Sequence, residues 1–362
     1  MRRILWVCLG VVVAAMPLAA AGCAAQLAGV IVKAPNADVT LAELDAMPDV
    51  DAGREPEQRF RVTVGPPVAS LAVRVLDPAP SPLLGVRASP SEQRAGRYRF
   101  HLVYAGADES AEAPPPRGTV LVLHGLFGNK DSLPTIWARI FAGAGYRAVL
   151  VDLRGHGRST GSHVSYGVRE SRDLVQVLDA LEQRDLLIGP VGVFGISFGG
   201  STAIQLAGID DRVGAVIALA PFANMRQAVS DFGRAVLGPM GPFLPEAMIQ
   251  SAVSATQART GVNPADSDTA AALASTRAAV LLIHGRRDRH VPPAHSVALR
   301  RAMHGPGHLL VLADEDHMTL TATPGPALID IRNEALAWFD TWLIEDDEHD
   351  SPPQWVVTGQ GD

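Results

Sequence analysis

Three side chains have the types needed for nucleophilic acyl transfer: Ser197 in VFGISFGGS, Asp288 in LLIHGRRDRHVPP and His317 in ADEDHMTL. A serine hydroxyl is a poor nucleophile at neutral pH and must give its proton to an adjacent base. Histidine suits that task, and an aspartate accepting the imidazole Nδ1–H fixes the tautomer and stabilises the imidazolium that forms. GISFG fits the pattern G-x-S-x-G, a weak signal alone. Its setting strengthens it, because the β-branched run VGVFGI precedes the serine and STAIQLAG continues as a helix. A strand–turn–helix junction is what exposes a serine on a sharp elbow, and glycines there avoid collisions with neighbouring elements. The bland alternative is that the small residues only let strand and helix pack closely.

His317 follows the strand HLLVL, so its loop can carry the ring over the carboxyl end of a sheet. His308 and His304 should lie at the opposite end. His290 is the rival base but neighbours Asp288, while Asp314 and Asp316 compete with Asp288 on sequence proximity and read as solvated loop charges. A developing oxyanion needs two preorganised donors, each worth about 2.7 to 4 kcal/mol of barrier stabilisation. The backbone N–H groups of Leu126, in VLHGLFGN, and of Phe198, next to the serine, are the candidates.

Positioning these groups requires alternating strands and helices, and from Gly118 onward the chain supplies them. TVLVLHG, RAVLVDL, VGVFGIS, VGAVIALAPF, AVLLIHG and HLLVLADE read as short apolar strands. Amphipathic stretches fall between them, and the last helix carries Leu328, Ile331, Ala335, Trp338 and Trp342 at helical spacing. The expected fold class is α/β: a mostly parallel central sheet with helices on both faces. FRVTV, SLAVRVL and RYRFHLVY ahead of it read as antiparallel strands. Residues 223–276 break the rhythm with Pro239, Pro242, Pro245 and several large apolar residues, and read as a small helical cap.

The five motifs LHGLFGN, VDLRGHGRSTG, VFGISFGGS, LLIHGRRDRHVP and EDHMTL together resemble the α/β-hydrolase superfamily over about residues 98–345, most of all its serine esterases, lysophospholipases and monoacylglycerol-lipase-like members. The chain order serine, acid, histidine agrees with that family. The resemblance implies an acyl hydrolase with a Ser197–Asp288–His317 triad and with neither metal nor organic cofactor. In VDLRGHGRS it implies a stabilising turn bearing Asp152, Arg154 and His156, without a catalytic role. A peptidase, amidase or thioesterase would use the same triad. A non-catalytic envelope binding protein on a degenerate hydrolase fold is the alternative outside enzymes, opposed by the complete set of candidate groups.

The chain has 362 residues, 47% hydrophobic and 19% charged, with a net charge of −7 and two cysteines. No basic stretch suits a nucleic-acid backbone, and His124, His156 and His163 lack tight ligand spacing for a metal. The N-terminus reads as an export signal over 1–22, with Arg2 and Arg3 before an apolar run that is short for a membrane span. AAGC resembles the lipobox of bacterial lipoproteins, with Ala20 where a leucine is usual, which makes Cys23 the expected lipidation site. Ordinary cleavage after small residues, giving a secreted or periplasmic protein, is the alternative. Residues 23–58, rich in Ala, Asp, Glu and Pro, read as a flexible tether. Residues 59–345 read as the hydrolase domain, and 346–362 as an acidic and polar tail. The expected partners are a small ester or lipid substrate and, through Cys23, the membrane of the cell envelope, with no obligatory protein partner.

Overall fold

The computed structural model of the chain describes residues 24–47, 57–78, 83–90, 98–104, 114–321 and 327–344. The expected signal, Cys23 and the C-terminal tail lie outside them. The strands are β1 (Glu57–Val64), β2 (Ala69–Leu76), β3 (Leu83–Pro90), β4 (Tyr98–Tyr104), β5 (Thr119–Leu123), β6 (Arg147–Val151), β7 (Val191–Ile196), β8 (Val213–Leu219), β9 (Ala279–Gly285) and β10 (Gly307–Leu312). Eight of them form one sheet in the order β1-β2-β6-β5-β7-β8-β9-β10. β1 pairs with β2, and β2 with β6, in antiparallel fashion, while every pair from β6 to β10 is parallel. The hairpin of β3 and β4 is a separate two-stranded sheet, so RYRFHLVY does not feed the main one as its pattern suggests.

Each central strand is buried on both faces, and the period of two divides its side chains between two cores. Leu121, Leu123, Val149, Val151 and Val193 point into one, and Val120, Val122, Leu150, Phe194 and Ile196 into the other. The first core is covered by helices over 168–182 and 198–207, the second by helices over 133–143 and 327–343. In the second core Trp137 packs 4.3 Å from Phe194, and Phe141 sits between Phe194 and Phe339 at 5.5 and 5.3 Å. A buried ring of this size removes on the order of 150 to 250 Å² from water, roughly 4 to 6 kcal/mol at 25 cal/mol per Å². The sheet centre that carries the elbow is therefore held between rigid aromatic and aliphatic layers.

The expectation of a flexible tether over 23–58 is corrected for residues 24–47, which pack on the domain. Helix α1 (24–32) buries Ala28 and Val32, and the chain then runs along the loop after β6. Val164 N–H donates to Val32 O at 2.9 Å, Ala34 N–H to Ser162 O at 3.1 Å, Tyr166 Oη to Ile31 O at 3.0 Å, and Arg259 to Ala25 O at 3.0 Å. Helix α2 (Leu41–Asp45) is closed by a Thr40–Glu43 capping box and buries Leu44. Small, widely spaced apolar residues suffice here because the neighbouring loop already supplies a shaped surface. Leu44→Ala is expected to lower stability by about 2 to 3 kcal/mol in urea denaturation. A free tether would leave the midpoint unchanged.

The remaining helices are α3 (Leu133–Gly143), α4 (Val168–Glu182), α5 (Phe198–Ala207), α6 (Met225–Leu237), α7 (Glu246–Ala255), α8 (Gln257–Thr260), α9 (Thr269–Ser275), α10 (Ala294–Ala302), α11 (His317–Thr321) and α12 (Ala327–Leu343). The insertion between β8 and β9 contains α6 to α9 and two short 3₁₀ turns. Its entry is fixed by Asn224, whose side chain caps α6, and by His295, whose Nδ1 accepts from Ala223 N–H at 3.0 Å while its Nε2 meets Asp231 Oδ2 at 3.1 Å. Among the described residues no helix is long and apolar enough to cross a membrane.

Candidate active site

Ser197 stands between β7 and α5 with φ 51° and ψ −109°. A positive φ on a non-glycine residue is strained, and here the fold over-determines it. Ser197 N–H donates to Leu219 O at 2.7 Å, while the turn is so tight that a Cβ on Gly195 would lie 2.3 Å from Gly199 O. A Cβ on Gly199 would lie 2.6 Å from His124 O. Close strand–helix packing and an exposed serine thus turn out to be one requirement, not alternatives.

Three loops at the carboxyl ends of the parallel strands bring the expected residues together. Ser197 Oγ is 3.1 Å from His317 Nε2, and His317 Nδ1 is 2.6 Å from Asp288 Oδ2. Asp288 Oδ1 accepts the backbone N–H groups of His290 at 2.9 Å and Val291 at 2.8 Å, so this carboxylate is held at both oxygens. Burial pushes the Asp288 carboxyl up, but hydrogen bonds involving His284, His317 and Val291 N–H override it and hold the group well below the usual carboxylate range. Asp288 is therefore ionised at neutral pH and can orient the imidazole.

The competing residues fall elsewhere. Asp314 pairs with Arg287 at 2.7 Å on the surface, and Asp316 accepts Met318 N–H and Thr319 N–H at the start of α11. His308 begins β10, opposite the start of β9, and His304 lies near Ala274 O. His290 is closer, with its ring 5.6 Å from that of His317, yet the hydrogen bond to Ser197 belongs to His317.

One residue escaped the sequence reading. His284, fully buried at the end of β9, sits with Nε2 2.7 Å from Val291 O and 3.4 Å from Asp288 Oδ2, and with Nδ1 2.6 Å from Ser296 Oγ. It buttresses the turn that presents Asp288. A histidine closing an apolar strand was the available signal, and it reads equally well as a core residue.

The candidate oxyanion donors lie on either side of the serine. Phe198 opens α5, so its N–H has no carbonyl one turn earlier to accept it. The Gly125 carbonyl is held from two directions, by His124 Nδ1 at 2.8 Å and Gly128 N–H at 2.9 Å. Because the peptide is planar and trans, the Leu126 N–H points away from that carbonyl. A Cβ on Gly125 would lie 3.9 Å from Ser197 Cβ, which measures how closely this loop approaches the nucleophile. His124 Nε2 accepts Leu153 N–H at 3.0 Å, which leaves the proton on Nδ1. Burial and the neighbouring His156 push His124 down to about 3, so the ring stays neutral.

Two aromatic side chains stand beside this centre. Phe127 is 76% exposed, its ring 6.1 Å from that of Phe232, which in turn lies 5.7 Å from His290. Val236, Leu237, Met240 and Phe243, also in the insertion, are exposed as well. Among the described residues no group of three His, Cys, Asp or Glu side chains is arranged to hold a metal ion.

Residues 120–331 match the model of the alpha/beta hydrolase family. The uncharacterized protein YqkD of Bacillus subtilis (strain 168) is 29% identical over 203 residues, covering 55% of this chain and 64% of its own length. This chain thus spans somewhat under two thirds of that relative. A solved esterase of Pyrococcus furiosus superposes with TM-score 0.56 at 18% identity, over 82% of this chain and 97% of its own. A solved puromycin-hydrolyzing peptidase of Mycobacterium tuberculosis superposes with TM-score 0.55 at 17% identity, over 82% and 41%. At such identities the superpositions speak to fold alone.

Proposed function

This chain belongs to the alpha/beta hydrolase family, and from that premise we propose that it is a serine hydrolase cleaving carboxylic esters through an acyl-enzyme on Ser197. The observation that carries the reading is the continuous relay from Ser197 Oγ through His317 to Asp288, at 3.1 and 2.6 Å. Ser197 Oγ attacks the ester carbonyl carbon while His317 Nε2 takes its proton. The resulting oxyanion is held by the N–H groups of Leu126 and Phe198. Collapse breaks the bond to the alcohol oxygen, which leaves with the proton from His317. Water then attacks the acyl-enzyme by the same route, releasing the carboxylic acid and restoring the serine.

The apolar lip formed by Phe127, Phe232 and the exposed residues of the insertion favours an acyl chain as the group next to the carbonyl. Likeness to a solved esterase and a solved peptidase alike does not choose between ester and amide. The deciding measurement is kcat/KM on p-nitrophenyl esters of increasing acyl length, set against p-nitroanilides of the same acyl groups. Esters are expected to be preferred, with kcat/KM rising up to about fourfold per methylene, the equivalent of 0.8 kcal/mol, until the lip is filled. Preference for the anilides would replace the ester reading with an amidase or peptidase. A profile that is flat with chain length would remove the role given to the lip.

A further inference from the structure

His124 and His156 lie side by side beneath the loop that follows β5, with ring centroids 4.9 Å apart, and both are fully buried. Their surroundings differ in one respect. His124 faces one donor and one acceptor, Leu153 N–H and Gly125 O, a pairing that a neutral imidazole satisfies completely. His156 faces two acceptors: its Nε2 is 2.5 Å from Leu126 O and its Nδ1 is 2.8 Å from Arg154 O. A neutral imidazole has a single N–H, so one of these contacts would set a ring lone pair against a carbonyl oxygen. The imidazolium has two N–H groups and satisfies both.

We propose that His156 is a doubly protonated positioning residue, clamping the Leu126 carbonyl and thereby holding the loop that supplies an oxyanion donor. The two histidines divide the work along consecutive peptides: neutral His124 fixes the Gly125 carbonyl and with it the direction of Leu126 N–H, and cationic His156 fixes the Leu126 carbonyl. Like charges at this separation disfavour each other, so a charge on His156 also keeps His124 neutral. The His156 ring itself is held by a rigid turn, for Asp152 accepts Lys130 N–H at 2.7 Å and Arg158 N–H at 2.9 Å around it.

The charged groups packed about the pair are already engaged. Lys130 Nζ binds Asp152 at 3.1 Å and Asp131 at 2.8 Å, and the Arg154 guanidinium makes two bonds to Asp173 at 2.8 and 2.7 Å. On the side of α5 the His156 ring meets Phe198, at 5.8 Å between centroids. Among the described residues the two carbonyls are therefore the groups that the His156 N–H donors serve. Raising the pH until His156 gives up a proton would release one carbonyl and loosen the loop. The consequence for turnover rests on the serine-hydrolase reading above, whereas the protonation state does not.

The test has two arms. Nitrogen-15 spectra of histidine-labelled wild-type protein, assigned through correlation to the backbone, are expected to show both His156 ring nitrogens protonated at neutral pH and one nitrogen of His124 unprotonated. A His156 ring with a bare nitrogen overturns the proposal, whether or not any variant folds. In the second arm, His156→Gln offers one amide donor in place of two. It is expected to lower kcat by about 10- to 100-fold through misplacement of the donor loop, with KM within about twofold of wild type. Any decline of kcat on the alkaline side that wild type owes to loss of the second His156 proton should be absent from the variant. Unchanged kcat and an unchanged pH profile in a folded variant would also overturn it. If a fluorophosphonate fails to label wild-type Ser197, the hydrolase reading falls, and the spectra still decide the protonation of His156 separately.

Discussion

Ser197→Ala is expected to reduce ester turnover by roughly 10⁵-fold or more and to abolish labelling by a fluorophosphonate, with little change in stability. The size of the loss follows from the relay acting as a unit. Without Oγ, His317 Nε2 has no proton to take and the Asp288–His317 bond orients a base with nothing to activate. What would remain are the proposed oxyanion donors and substrate binding, which alone give roughly 10³- to 10⁴-fold over water in serine hydrolases. The fold should be indifferent to the change. Alanine keeps the Cβ and hence the same strain at φ 51°, and among the described residues the hydroxyl hydrogen-bonds to His317. A thermal melt within about 0.5 kcal/mol of wild type is therefore expected beside the lost turnover. Turnover retained in a well-folded variant would reject the acyl-enzyme, and a wild type that never labels would favour a binding protein on a hydrolase fold.

The elbow was legible because its constraints are local. A strand, a serine flanked by glycines and a helix lie within one short stretch, and the close approach that requires Gly195 is between neighbours in sequence, although the one that requires Gly199 comes from the backbone of Leu123 and His124. Asp288 and His317 were legible for a related reason, since each follows a strand directly and parallel strands deliver their carboxyl-end loops to one edge. The packing of residues 24–47 was not. Its docking depends on residues 31–34 meeting a surface formed by residues 162–166, far along the chain, and a few small apolar side chains among Ala, Asp and Pro look like a linker. His284 was hidden likewise, because its significance comes from the chain turning back to place Asp288 and Val291 against its ring. The distinction between His124 and His156 needs three-dimensional partners outright: both stand before or between glycines in sequence, and only the donors and acceptors around each ring separate them.

The second large effect is expected at Asp288. Asp288→Asn should lower kcat by about 10³- to 10⁴-fold, with the fluorophosphonate labelling rate falling in parallel. The direction follows from which oxygen does what. Oδ1 accepts two backbone N–H groups, from His290 and Val291, so in the variant the amide oxygen must take that place. The amide NH₂ then faces His317 Nδ1, where the wild type has an acceptor at 2.6 Å. To receive that donor, Nδ1 must give up its proton, which moves to Nε2, and Nε2–H cannot accept the proton of Ser197. Asparagine thus preserves shape and reverses the tautomer. Acidification of the wild type does not imitate the substitution, because the hydrogen bonds around Asp288 keep it ionised far below the range in which free carboxylates titrate. By the same linkage, the stability this carboxylate contributes is present above the ordinary aspartate range and is lost only as pH falls through its depressed folded value. A loss of less than about tenfold in the Asn variant would mean that His317 keeps its tautomer without Asp288, and would remove this residue from the relay.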